Sequence, residues 1–135
     1  MNARVNVNID VPELAPAIEF YEAAVGATFV RLLDDDVAEL SYGSSLLYLL
    51  CKPTGSAATP AGATRQLGRH WTPVHVDFVV DSIDTAVARA LAAGARQESE
   101  RIDWRLDVRD VLRSVRSWVL PDRVRGERLR VTPRL

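Results

Sequence analysis

The chain has 135 residues, of which 47% are hydrophobic, and a formal net charge of −1. That is the size of one domain, long enough to bury roughly two thirds of its unfolded surface and too short for a second independent core. The charge predicts no generic affinity for nucleic acid or an anionic membrane. No apolar run approaches the ~20 residues of a membrane span, and "MNARVNVNID" lacks the apolar core of a signal peptide, so a cytoplasmic protein is expected.

In chain order, the first element is a strand. Val5, Val7, Ile9 and Val11 share one side, and Asn6, Asn8 and Asp10 share the other. Leu14, Ile18, Tyr21 and Val25 then fall on one stripe of a helix, with Gly26 where a left-handed terminating residue is wanted. "TFVRLL", "VAELSY" and "LLYLL" read as three short strands. Asp34, Asp35 and Asp36 separate the first two and read as a solvated hairpin tip, because a divalent cation needs further oxygen donors at fixed spacing. Cys51, the single cysteine, closes the last of these strands beside Lys52 and reads as an inert buried thiol. It also excludes an internal disulfide and a thiolate-cluster zinc site.

"KPTGSAATPAGATRQLGRHWTP" is rich in small residues, proline and glycine and reads as a linker. In "PVHVDFVV" the residues Val74, Val76, Phe78 and Val80 form an apolar strand side, with His75 and Asp77 pointing the other way. Ile83, Val87, Ala90, Leu91 and Gly94 mark a second helix, capped by Ser82 and stopped at Gly94, and a strand is expected near "ARQESER".

These elements repeat. With "VNVNIDVPELAPAIEFYEAAVGA" set above "VHVDFVVDSIDTAVARALAAGA", Val5 meets Val74, Leu14 meets Ile83, Ala17 meets Ala86 and, after one gap, Gly26 meets Gly94. The expected class is α+β, with two βαβββ modules forming a curled mixed sheet around a concave cavity. A single domain then divides into module one at 1–52, a linker at 53–72, module two at 73–104 and an atypical tail at 105–135.

Those two stretches resemble the vicinal oxygen chelate superfamily, which contains glyoxalase I, bleomycin-resistance proteins and extradiol dioxygenases. The likeness covers about residues 5–104. It implies that the polar strand faces floor the cavity and that metal-dependent members carry one ligand on the first and one on the last strand of each module. Carried onto this chain, these positions are Asn6, about Tyr48 and His75, and of them only His75 is a usual metal ligand. A catalytic metal needs about three protein donors. No tightly bound metal or other cofactor is therefore expected, with a divalent metal on His75 as the alternative. A cavity histidine hydrogen-bonded to Asp77, a carbonyl or water is the plainer account of His75.

Asn8 and Asp77 occupy matching places in the two copies and are candidates for polar contact with a guest. Tyr48, Trp71 and Trp104 suit aromatic walls around a small molecule, or else core and dimer packing. The resemblance thus implies a small-molecule binder of the bleomycin-resistance kind, working as a homodimer with clefts shared between chains, without nucleic-acid or membrane partners. The alternative is a metal-dependent lyase, isomerase or dioxygenase, and a purely structural module is the third class.

The tail departs from this pattern. From Arg101 onward there are ten arginines against five acids, although Lys52 is the sole lysine of the chain. No recognisable nucleic-acid motif frames those arginines. As written, Val108, Val111, Leu112 and Val115 make an amphipathic helix, with Pro121 closing the segment after it. Read from the second base of each codon between Leu112 and Arg125, synonymous codons permit S-D-P-F-G-H-G-F-C-L-I-E-F, which resembles the family's closing turn and last ligand-bearing strand. At Trp118 followed by Val119 the shifted codon must be glycine, as in that string. A frameshift near residues 104–111 is therefore expected to have replaced the original ending, including a glutamate encoded across Arg123 and Val124. GC-rich DNA read out of frame also accounts for the arginines.

Overall fold

The computed structural model describes residues 3, 5–68, 73–74, 76–97 and the backbone of 114–115. The first module is complete. Strand β1 (Asn6–Val11) leads into helix α1 (Leu14–Val25), followed by β2 (Thr28–Asp34), β3 (Val37–Tyr42) and β4 (Ser45–Cys51). They form an open mixed sheet in the order β1-β4-β3-β2, with β1 and β4 parallel and the other pairs antiparallel. Hairpins at Asp35–Asp36 and Gly43–Ser44 link the antiparallel strands; Gly43 supplies the positive φ of 57° that a tight turn demands. The register of β2 slips twice, between Phe29 and Arg31 and between Leu32 and Asp34, and such bulges bend an edge strand and increase its twist.

One face of the sheet packs on α1. Val11, Ala38, Leu40, Leu47 and Leu49 are buried there against Ala17, Phe20, Tyr21 and Ala24, with Val7 and Ile9 partly buried beside them. The expected helix stripe is correct in part: Tyr21 is central, but Leu14, Ile18 and Val25 flank the core while Ala17, Phe20 and Ala24 fill it. Small alanines let the helix approach the sheet closely, which pure hydrophobicity does not reveal. Val5 is 81% exposed and lies one residue before the strand begins.

The linker folds back as a small hairpin with a bridge between Ala57 and Thr64. Arg65 anchors it, with Nε 2.8 Å from Asp10 Oδ2 on β1 and further bonds to Ser56 Oγ and the Ala57 carbonyl. At the hairpin tip Lys52 Nζ pairs with Asp36 at 3.2 Å, and Cys51 Sγ donates to the Pro12 carbonyl at 3.2 Å.

The second module carries β5 (Phe78–Val79) and helix α2 (Ile83–Ala92). The strand expected from Val74 to Val80 is thus shortened to two residues. Its side selection holds in part: Phe78 is buried, Val76 is packed against the core and Asp77 is exposed, but Val74, expected on the apolar side, is 68% exposed. Ser82 caps α2 through Thr85 N, and Gly94 follows its end with a φ of 94°. Ile83 and Ala90 are buried as expected, whereas Leu91 is 45% exposed, since no described strand lies under that side.

Among the described residues, two groups of contacts join the modules. The Tyr42 hydroxyl donates to the Val79 carbonyl at 2.7 Å while its ring meets Phe78 edge-on, and Phe78 also touches Tyr21. Arg89 of α2 donates from Nε to the Ala23 carbonyl at 3.1 Å and from Nη2 to the Glu22 carbonyl, which also accepts from Gly26 N–H, at 3.4 Å, setting a positive charge at the C-terminal end of α1.

The last described element, β6 (Ser114–Val115), pairs antiparallel with β5. The helix expected over 108–115 therefore does not extend through those two residues. Of the strand expected near Ala95–Arg101, the described residues Ala95–Gln97 form no strand element; its remainder, the rest of that helix, and Trp104 lie outside the described residues.

Candidate functional site

Because side chains alternate along a strand, burying Val7, Ile9, Leu47, Leu49, Leu40 and Ala38 under α1 fixes what the opposite face carries. The cross-strand register aligns that face in rows. Asn8 stands opposite Tyr48, Tyr48 opposite Glu39, and Glu39 opposite Arg31, one residue from each of the four strands. Asn8 and Arg31 are exposed, Tyr48 is half-buried and Glu39 is buried. Asn6 lies in the neighbouring row, opposite Leu46, and Asp10 lies in the row on the other side, opposite Leu50.

Glu39 is the sole buried charged or polar residue among the described ones. Arg31 Nε lies 3.4 Å from Glu39 Oε1, with 63% of the Arg31 side chain exposed and 10% of the Glu39 side chain. A carboxylate on the open side of the central hairpin is therefore held against a guanidinium whose side chain is mostly exposed.

Of the residues singled out in the sequence, Asn8 and Tyr48 are brought together, Asn6 shares their face, and Asp77, which immediately precedes β5, is exposed. His75 and Trp71, like Trp104, lie outside the described residues. Arg31 and Glu39 are candidate site residues that the sequence reading lacks.

The first-module residues do not fit a metal. Asn6 is a neutral, weak donor, Tyr48 faces Asn8 rather than Asn6, and the one carboxylate in their row is engaged by Arg31. Among the described residues no group of three or more His, Cys, Asp or Glu side chains is placed to hold an ion. The polar row can instead hydrogen-bond, pair charges and stack a flat group on Tyr48.

Two tyrosines in the module interface keep their protons. Burial pushes Tyr21 up to about 12, and Tyr42 is also raised, mainly by desolvation and further by Asp81, against an opposing pull from Arg89. A separate groove of about 310 Å³ lies in the helix layer between the start of α1 and the end of α2. Prolines, alanines and Phe20 line most of it, with Glu13 and Glu19 its only charged groups, so it offers no convergent chemistry.

No helix among the described residues is long and apolar enough to cross a membrane. No curated protein matches the chain. The family model of the glyoxalase-like domain does match, over residues 6–122, starting on the strand that carries Asn6 and Asn8 and reaching into the tail. With the βαβββ module and its polar face in place, the chain belongs to the glyoxalase-like domain family, and through it to the vicinal oxygen chelate superfamily.

Proposed function

We propose that the chain is a small-molecule-binding protein of the glyoxalase/bleomycin-resistance kind, whose guest rests on the open face of module one and needs no tightly bound metal. The observation that carries this reading is the row Asn8, Tyr48, Glu39 and Arg31, polar groups of four kinds aligned across the sheet, exposed at its Asn8 and Arg31 ends and withdrawn from water between them. Asn6, His75, Asp77, Trp71 and Trp104 complete the proposed walls. Thermal-shift screening of small organic compounds, with metal analysis of the same purified protein, tests it: a ligand that binds only the folded state raises the melting temperature. The expected result is stabilisation by some compounds, substoichiometric metal, and a metal content little changed in His75→Ala. About one ion per chain, lost in that variant, contradicts it.

The same reading includes a cytoplasmic homodimer paired through an exposed sheet edge. β2 has no described neighbour on its outer side, and Phe29, Val30, Leu32 and Leu33 on it are 38–54% exposed.

A specific observation favours a second reading, in which the chain derives from a metal-dependent enzyme of the superfamily through a shifted reading frame. In module one the closing strand β4 runs parallel to β1, whereas the tail strand β6 runs antiparallel to β5. The gene sequence tests this: codons that spell the S-D-P-F-G-H-G-F-C-L-I-E-F string out of frame support it, and any other spelling ends it.

A further inference from the structure

Glu39 occupies a position where the sheet gains nothing from a charge. A carboxylate withdrawn nine-tenths from water, with one ion-pair contact at 3.4 Å, is a poor source of stability, and an apolar side chain of similar volume serves a strand as well. Its surroundings point to recognition instead. On one side stands Arg31, mostly exposed; on the other the half-buried Tyr48, and beyond it the exposed Asn8. Adjacent strands are ~4.8 Å apart, so the row runs ~14 Å across the sheet with its two opposite charges together at one end.

From this arrangement we infer that the row binds a small zwitterion of the amino-acid type, its ammonium beside Glu39, its carboxylate beside Arg31 and its side group over Tyr48 toward Asn8. The inference rests on the reading of this face as a ligand floor and adds the chemical class. A simple anion placed on Arg31 is also repelled by Glu39 on the far side of the guanidinium, which offsets part of its attraction; a simple cation on Glu39 is opposed by Arg31 in the same way. A molecule with both charges on neighbouring atoms, laid antiparallel to the ion pair, is attracted at both ends. The guanidinium has five N–H donors, and the pair with Glu39 engages Nε, which leaves its outer edge for a carboxylate.

The test compares L-phenylalanine with N-acetyl-phenylalanine, which keeps only the negative charge, and phenylalanine amide, which keeps only the positive one. Binding to the full chain is measured by calorimetry and thermal shift. L-phenylalanine is expected to bind at least about tenfold more tightly than either analogue. Glu39→Gln, an isosteric change, should weaken L-phenylalanine about tenfold and improve the anionic analogue, while Arg31→Gln should weaken it similarly and improve the cationic one. Circular dichroism checks both folds, and the exposed Arg31 variant carries the test should Glu39→Gln fail to fold. L-phenylalanine binding that is absent, unchanged in the folded variants, or matched by the singly charged analogues overturns the inference. If other compounds bind and Tyr48→Ala abolishes their binding, the ligand floor survives that result; if no compound of any charge class binds, the floor falls as well.

Discussion

Arg31 and Phe29 sit two apart in "TFVRLL", and strict alternation puts them on the same side of a strand. The bulge between them reverses this, leaving Phe29 opposite the helix-packed Leu40 and Arg31 opposite Glu39 on the open face. The ion pair was therefore hidden from pattern reading, although Glu39 itself was legible as the polar position between Ala38 and Leu40. Asn8 and Tyr48 were legible because β1 and β4 alternate without interruption. Core residues follow the ordinary expectation: Leu40→Ala, at a position with no exposure, should cost about 2–5 kcal/mol in denaturant unfolding, while Asn8→Ala should cost little. Tyr21 gives a pH dependence of known sign. Its pKa is 10.0 when unperturbed and about 12 in the fold, so above pH 10 the unfolded chain releases a proton that the folded chain retains. Stability is intact below pH 10 and should fall by about 3 kcal/mol as pH rises to about 12. Urea midpoints across the alkaline range should show this decline, and Tyr21→Phe should flatten much of it.

At the scale of elements, the glycine stops and the Ser82 cap were readable because each is a local requirement of chain geometry. Gly26 has a φ of 78°, and a Cβ there would lie 3.3 Å from Arg89 Nη2. Gly26→Ala is thus expected to destabilise by about 1 kcal/mol from the left-handed backbone alone, and by more if Arg89 is displaced. Ser82→Ala should cost about 1 kcal/mol. The Arg89 clamp on α1 was not readable, since it links residues 66 and 67 positions apart. Edge strand β2 belongs to this scale too. Leu33→Lys should leave the fold intact, as its side chain is 48% exposed, and should shift the sedimentation of a β2-paired dimer toward monomer. Unchanged sedimentation of a dimeric protein would move the interface elsewhere.

For the molecule as a whole, duplication was the most informative signal in the sequence, because one βαβββ unit written twice fixes the architecture before any single element does. It holds fully for module one and through α2 for module two. Beyond that the chain's own repeat stops being a guide: β5 keeps two residues of strand and accepts an antiparallel partner where the first module has a parallel one. Should the gene carry the shifted string, restoring the frame should raise the melting temperature. The central claim concerns where a guest binds. Backbone amide chemical shifts, recorded during titration with any compound that stabilises the protein in the screen, test it most directly. The account predicts that the largest changes fall on Asn8, Arg31, Glu39 and Tyr48, with or without a chelator present. Changes gathered instead on Glu13, Ala17, Phe20 and Ala93, in the groove between the helices, would contradict it.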